Sequence, residues 1–236
     1  MIATVINVVL ILLGSCLGLL FKNRISPRFA SGITFALGLC VLGIGTTSMI
    51  GTADTLCVIV CMVIGTLLGE LINIEKRMDS VGDVLRRKLI RGESNSRFVE
   101  AFVNCSVLYC VGAMAINGAM EAGMNGNYDI IISKAVIDGV SSITFAAAMG
   151  IGVAFAALPT FLYQGALTII FSIVGQGIDP AIVTEMSAVG GTIIVGIGVN
   201  MLGLPKEKLR VGNMLPAIFL PLAYIPIRDW LMATLG

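Results

Sequence analysis

Residues 25–49, ISPRFASGITFALGLCVLGIGTTSM, return without a gap at 178–202 as IDPAIVTEMSAVGGTIIVGIGVNML. Each position falls 153 residues downstream, and Ile25, Pro27, Gly38, Gly43, Ile44 and Gly45 land on Ile178, Pro180, Gly191, Gly196, Ile197 and Gly198. Ser31 and Thr34 land on the similar Thr184 and Ser187. Six identities are roughly twice what two Gly/Ile-rich membrane segments share by chance. Paired, glycine-interrupted apolar segments in the two halves of a chain are the sequence pointer to a transport site.

The rest of the chain is equally apolar. Mean hydropathy is +0.99, with 57% hydrophobic and 12% charged residues among 236. Those values belong to an integral membrane protein. Runs long enough to cross a hydrocarbon core recur along nearly the whole length, so residues 1–236 read as a single transmembrane domain. The first run, 2–21, lacks a basic n-region and a small-residue cleavage site, and reads as a membrane helix rather than a signal peptide. All six cysteines lie within apolar runs and read as packing residues. Cys57 and Cys61 share a helix face, but the chain has no histidine, so no metal site is expected. A net charge of +1 points to no nucleic-acid partner.

Eight crossings are expected, at 2–21, 33–49, 55–74, 99–120, 135–157, 160–176, 186–204 and 213–233. The basic residues orient them. Lys22, Arg24 and Arg28 lie in connection 22–32; Lys76, Arg77, Arg86, Arg87, Lys88, Arg91 and Arg97 lie in 75–98; Lys206, Lys208 and Arg210 lie in 205–212. These connections share one side of the membrane, and by the positive-inside rule that side is the cytoplasm. Both termini then face outward. Crossings one to three and six to eight run in opposite senses, which makes the two copies inverted repeats. The expected fold is an all-α polytopic membrane protein in a 3+2+3 arrangement with some segments broken or re-entrant. Repeat A covers 1–75, a basic connection 75–98, a central pair 99–158 and repeat B 159–236. In the connection, Met78, Val81, Leu85 and Leu89 recur at helical spacing. It reads either as an interfacial amphipathic helix whose Arg86, Arg87 and Lys88 touch lipid headgroups, or as a charged loop that fixes topology.

Polar groups inside a membrane are costly, so they rank first as functional candidates. Residues 130–158 are too long for one straight span, about 43 Å at 1.5 Å per residue. Asp138-Gly139 is the expected break. Asp138, with Ser141, Ser142 and Thr144, either binds a proton, a cation or a substrate amine, or Asp138 simply caps the helix that follows. Lys134, four residues earlier, is placed to neutralise it. Gly43, Gly45, Thr46, Thr47 and Ser48 in the first copy, with Gly196, Gly198 and Asn200 in the second, either line a solute site with unwound backbone and hydroxyls, or pack helices closely. Asn104, Asn117 and Gln164 are lesser candidates. Glu185, at the outer end of its segment, is either a gate charge or solvated. Pro216, Pro221 and Pro226 predict a kinked or broken last segment. No nucleophile stands beside a base and no phosphate loop occurs, so neither an enzyme nor a cofactor is expected.

Residues 134–159, KAVIDGVSSITFAAAMGIGVAFAALP, followed by Leu162-Tyr163-Gln164-Gly165, resemble the signature of a bacterial integral-membrane family known as domain of unknown function 554. Residues 111–123, VGAMAINGAMEAG, extend the resemblance, which runs nearly end to end. It implies residence in the bacterial inner membrane and marks Asp138-Gly139 and Gln164 as signature positions. It implies no substrate. The residues themselves point first to a secondary transporter of a small solute with a proton or cation as coupling ion. An oligomeric channel is the second reading, and a scaffold or sensor that contacts lipid is the third.

Overall fold

Apolar length decides the architecture. Among the residues the structure describes, six helices are long and apolar enough to cross a hydrocarbon core, and two bent helix pairs, each taken as one span, raise the number to eight. The computed structural model describes residues 1–22, 27–78, 80, 84, 95–111, 113–174 and 179–235. In order these form α1 (Ile2–Lys22), α2 (Pro27–Ile50), α3 (Thr55–Ile72), α4 (Asn95–Val111), α5 (Ala113–Met124), α6 (Asp129–Met149), the single turn α7 (Gly152–Phe155), α8 (Ala157–Val174), α9 (Pro180–Met201), a 3-10 helix (Val211–Phe219) and α10 (Pro221–Leu235). No strand occurs among the described residues. The protein is an all-α, multi-pass membrane protein.

Helix α9 is buried over 78% of its span and α2 over only 17%, which makes α9 the central helix and leaves α2 largely facing lipid. The two run antiparallel through small residues. Gly38 meets Leu202 and Met201, Gly198 meets Leu42, Gly45 meets Gly191 and Val195, and Gly191 meets Ser48 and Met49. Helix α1 packs along α6 by the same device: a Cβ on Gly14 would lie 2.1 Å from the Gly139 carbonyl oxygen, and one on Gly18 2.2 Å from that of Ile143. Glycine at these crossings lets backbones touch where lipid offers no hydrophobic drive to association. Gly65 and Gly69 of α3 bring it onto Ala217 and Asn213 of the 3-10 helix.

Three boundaries differ from expectation. Helix α6 runs unbroken through Asp138-Gly139, so Asp138 caps nothing; the break falls at Gly150, whose φ of 97° is one that side-chain-bearing residues rarely adopt. Twenty-one residues from Asp129 already span about 31 Å, and residues 152–173 form the next crossing. The two Gly-Ile-Gly segments do not unwind; both stay helical within α2 and α9, where backbone hydrogen bonding is kept inside each helix. The crossing expected over 99–120 turns by 66° between 97–110 and 114–124. The last crossing bends by 44° between the 3-10 helix and α10, as its prolines predict: Pro216 and Pro226 lie inside these helices and each removes a backbone donor.

Candidate functional site

Helical periodicity sets Lys134, Asp138, Ser141, Ser142 and Phe145 on one face of α6. Lys134 and Asp138 are 4% and 6% exposed, and Lys134 Nζ donates to Asp138 Oδ2. A lone carboxylate there would carry a large desolvation cost, and the i, i+4 lysine cancels its charge. Asn7 of α1 reaches the same oxygen: its Nδ2 donates to Asp138 Oδ2 at 3.2 Å and to Gln164 Oε1 of α8 at 2.9 Å. Both hydrogens of the Asn7 amide are then used, which fixes its orientation and forces Gln164 to present its carbonyl to Asn7. Ser141 Oγ and Ser142 Oγ donate to the Asp138 carbonyl at 3.0 and 2.7 Å, and the Tyr109 hydroxyl of α4 lies 2.8 Å from Ser142 Oγ.

One side of this network opens on a cavity of about 390 Å³ between α2, α4 and α6, backed by α5 and α9. That size lies within the range of small-molecule sites, roughly 300–1,000 Å³. Its polar lining is Lys134, Asp138, Ser141, Tyr109, Thr47 and Ser48; the other walls are apolar apart from Cys40. On the other side, among α1 and α8, Asn7 Oδ1, Gln164 Nε2 and Thr4 Oγ1 are buried with no hydrogen-bond partner in the protein. Buried polar atoms of that kind call for a polar guest.

The fold thus brings Asp138 and Ser141 together with Thr47 and Ser48, and sets Ser142 and Gln164 just behind them. It does not gather the rest. Thr46 and Thr144 are half-buried and do not line the cavity. Gly45 and Gly198 lie in the α2–α9 contact, Gly196 lies against Val211, and Gly43 faces open space. Asn200 spends both side-chain atoms on the backbone of Leu209, accepting from its N–H and donating to its carbonyl, each at 2.8 Å. Asn104 is buried on α4. The Asn117 side chain and Arg86, Arg87 and Lys88 lie outside the described residues. Asn7 and Tyr109 were not singled out from sequence. The available signal was the buried stripe Thr4, Asn7, Gly14, Ser15 and Gly18 on α1, polar or small residues on one helical face.

A second polar cluster holds the far end of α3. Glu185 is 1% exposed rather than solvated. Its carboxylate accepts from Thr52 Oγ1 (2.6 Å), Ala53 N (2.8 Å) and Asp54 N (3.1 Å), tying the α2–α3 turn to α9. Asp54 caps α3 by accepting from Cys57 N at 3.1 Å, and pairs with Arg228 of α10 at 2.9 Å. Burial opposes the Asp54 charge, but the Arg228 guanidinium and the Cys57 amide outweigh it and hold the carboxyl below its ordinary value. No group of three or more Cys, Asp or Glu side chains suited to a metal occurs among the described residues.

Residues 2–225 match the family described as Protein of unknown function (DUF554). The chain belongs to this family. It is 31% identical over 225 residues to the uncharacterized membrane protein YdfK of Bacillus subtilis (strain 168), covering 94% of each chain. It is 30% identical over 218 residues to the uncharacterized protein YqgA of Escherichia coli (strain K12), covering 91% of this chain and 92% of that one. No solved structure matches the chain. Membership names no activity and leaves the chemistry of the cavity to be read from its residues.

Proposed function

We propose that this DUF554 protein is a secondary transporter of a small solute in the bacterial inner membrane, working by alternating access and coupled to a proton or cation. The observation that carries the reading is the buried Lys134–Asp138 pair on the wall of a 390 Å³ cavity between α2 and α6. Intramembrane ionisable groups beside a cavity mark ion and substrate paths. The contacts of α2 with α9 support inverted repeats: Gly38 meets residues 201 and 202, while its counterpart Gly191 meets 48 and 49, the counterparts of those two. A pseudo-twofold axis in the membrane plane generates contacts that reciprocate in this way. On this reading the basic connections are cytoplasmic, both termini are outside, and rocking of one repeat against the other exposes the cavity alternately.

The test is uptake into proteoliposomes under an imposed pH gradient, with solutes chosen by thermal shift of the purified protein against a metabolite and ion panel. A ligand that binds only the folded state raises its melting temperature by mass action. Asp138→Asn should keep the fold and lose gradient-driven uptake. Uptake unchanged in that variant would remove Asp138 from the coupling. Flux that does not saturate and exceeds carrier turnover would replace the transporter with a channel.

A further inference from the structure

The polar lining around Asp138 is rich in oxygen acceptors. Thr47 Oγ1 donates its hydrogen to the Gly43 carbonyl at 2.9 Å, and Ser141 Oγ donates to the Asp138 carbonyl at 3.0 Å. Each hydroxyl has committed its hydrogen and keeps only acceptor capacity. Both side-chain donors to Asp138, Lys134 and Asn7, use Oδ2. Thr47, Ser141 and Asp138 therefore offer oxygen acceptors to the cavity, and the Lys134 ammonium is already held. A guest that complements it is a hydrogen-bond donor, and a protonated amine adds the charge that Asp138 attracts.

A second cation beside Lys134 would leave a net positive charge in the membrane interior, at a cost of several kcal/mol. Lys134 removes that cost by giving up its proton, a step open to a lysine ammonium and closed to an arginine guanidinium. Among the described residues no other carboxylate or amine faces the pair. Helix α4 presents Cys105, Cys110 and Tyr109, α2 presents Cys40, α8 presents Gln164, and α1 presents Asn7. None is a carboxylate or an amine.

The opening of the cavity defines the rest of the guest. Ile44 and Ile137 on its rim are 52% and 53% exposed. Along the helix axis Ile44 lies about 5 Å from the middle of the span Ser31–Ile50, and Ile137 about 3 Å from the middle of Asp129–Met149. An opening at that depth faces lipid chains rather than water, and the cavity behind it is walled mainly by aliphatic side chains and Phe145.

The geometry points to a cationic amphiphile as ligand: an alkylammonium whose chain enters between α2 and α6 and whose head displaces Lys134 from Asp138 as Lys134 releases its proton. The step balances. An ammonium guest and the Lys134–NH3⁺/Asp138⁻ pair give the guest–NH3⁺/Asp138⁻ pair, neutral Lys134–NH2 and one H⁺. Net charge in the site is zero before and after. The partnerless atoms of Asn7, Gln164 and Thr4 provide a polar side by which the proton leaves. Reversed on the opposite face of the membrane, the same step exchanges one amine for one proton. That last part rests on the transport reading; binding and proton release do not.

The experiment uses the full-length protein in a non-ionic detergent, weakly buffered at pH 7. Dodecylammonium, dodecanoate, 1-dodecanol and ethylammonium are each titrated while melting temperature and a pH-indicator dye are read. Dodecylammonium alone should give a saturable rise in melting temperature, with close to one proton released per protein. Lys134→Arg should remain folded, release no proton and bind at least tenfold more weakly, and Asp138→Asn should show no shift. An equal shift with dodecanoate or dodecanol would overturn the ammonium head. Equal binding of ethylammonium would overturn entry from the hydrocarbon. Undiminished affinity in Lys134→Arg would overturn the exchange. Gradient-driven uptake of a non-amine solute by a protein indifferent to dodecylammonium would sink this inference and leave the transport reading standing. Amine binding with proton release but no flux would do the reverse.

Discussion

Gly43→Ala and Gly45→Ala should separate two glycines that look alike in sequence. Both lie inside α2, so alanine gains about 1 kcal/mol of helix propensity at either position. At Gly43 a new Cβ meets nothing within 4 Å, and that gain stands alone. At Gly45 the Cβ would lie 2.7 Å from Val195 N, 2.8 Å from the Gly191 carbonyl oxygen and 3.0 Å from Val195 Cγ2. Two of those atoms are backbone of the central helix and cannot turn aside. Overpacking there costs about 1–3 kcal/mol, and rigid backbone puts it at the upper end, leaving a net loss of about 2 kcal/mol. In a protein of this size 1 kcal/mol moves the melting temperature by about 2–4 °C. Gly43→Ala should therefore melt about 2–4 °C higher than wild type, and Gly45→Ala about 4–8 °C lower. Scanning fluorimetry of the detergent-solubilised protein measures both. Gly191→Ala, whose Cβ would lie 2.6 Å from Met49 N, should follow Gly45. Equal changes at 43 and 45, or the reverse order, would refute the α2–α9 packing from which the numbers are drawn.

Asn7→Leu removes the donor shared by Asp138 and Gln164, and should lower stability by about 1–3 kcal/mol in thermal or denaturant unfolding; an unchanged midpoint would remove Asn7 from the network. Glu185→Ala strips the acceptor from Thr52, Ala53 and Asp54, so the amides of residues 53 and 54 should exchange with deuterium at least tenfold faster, and unchanged exchange would contradict the latch. Because the folded Asp54 carboxyl is held below its ordinary value, its stabilising effect is complete above about pH 4 and is lost as pH falls through the lower, folded value. The melting-temperature gap between wild type and Arg228→Gln should accordingly narrow as pH falls below about 4; a gap independent of pH would refute the pairing.

Much of this was legible in the chain, and the misses share a cause. The spans follow from hydropathy, which each residue contributes by itself. Asp138 was legible because a carboxylate in an apolar run needs a reason to be there, and Lys134 because i, i+4 neighbours meet on any helix. Thr47 and Ser48 were named beside Asp138 as candidates, and the fold sets them on one cavity wall. The break in residues 130–158 was deduced from length, but its place was not. Asp138-Gly139 carries a capping residue, yet a left-handed φ falls on Gly150 instead. Asn200 looked like a solute ligand because an amide beside a glycine pair has no local partner; its partner, Leu209, lies across a turn. Glu185 read as either a gate charge or a solvated one because nothing near it in sequence could bury it, and the turn at 52–54 that does so is more than 130 residues away.

The sequence by itself determined a multi-pass, all-α membrane protein with an acid in one apolar span and a lysine four residues before it; only the structure, by starting that span at Asp129, set both inside it. Transfer free energy, helical periodicity and i, i+4 pairing depend on residue type and spacing alone. Tertiary structure decided which polar groups share a site. It joined Asn7 to Asp138 and Gln164, and it turned Thr47 but not Asn200 toward the cavity. It also made one glycine of the Gly-Ile-Gly motif a close contact and left the other open. Those outcomes depend on helix rotation and on how closely backbones approach, and both are set by packing between segments far apart in the chain.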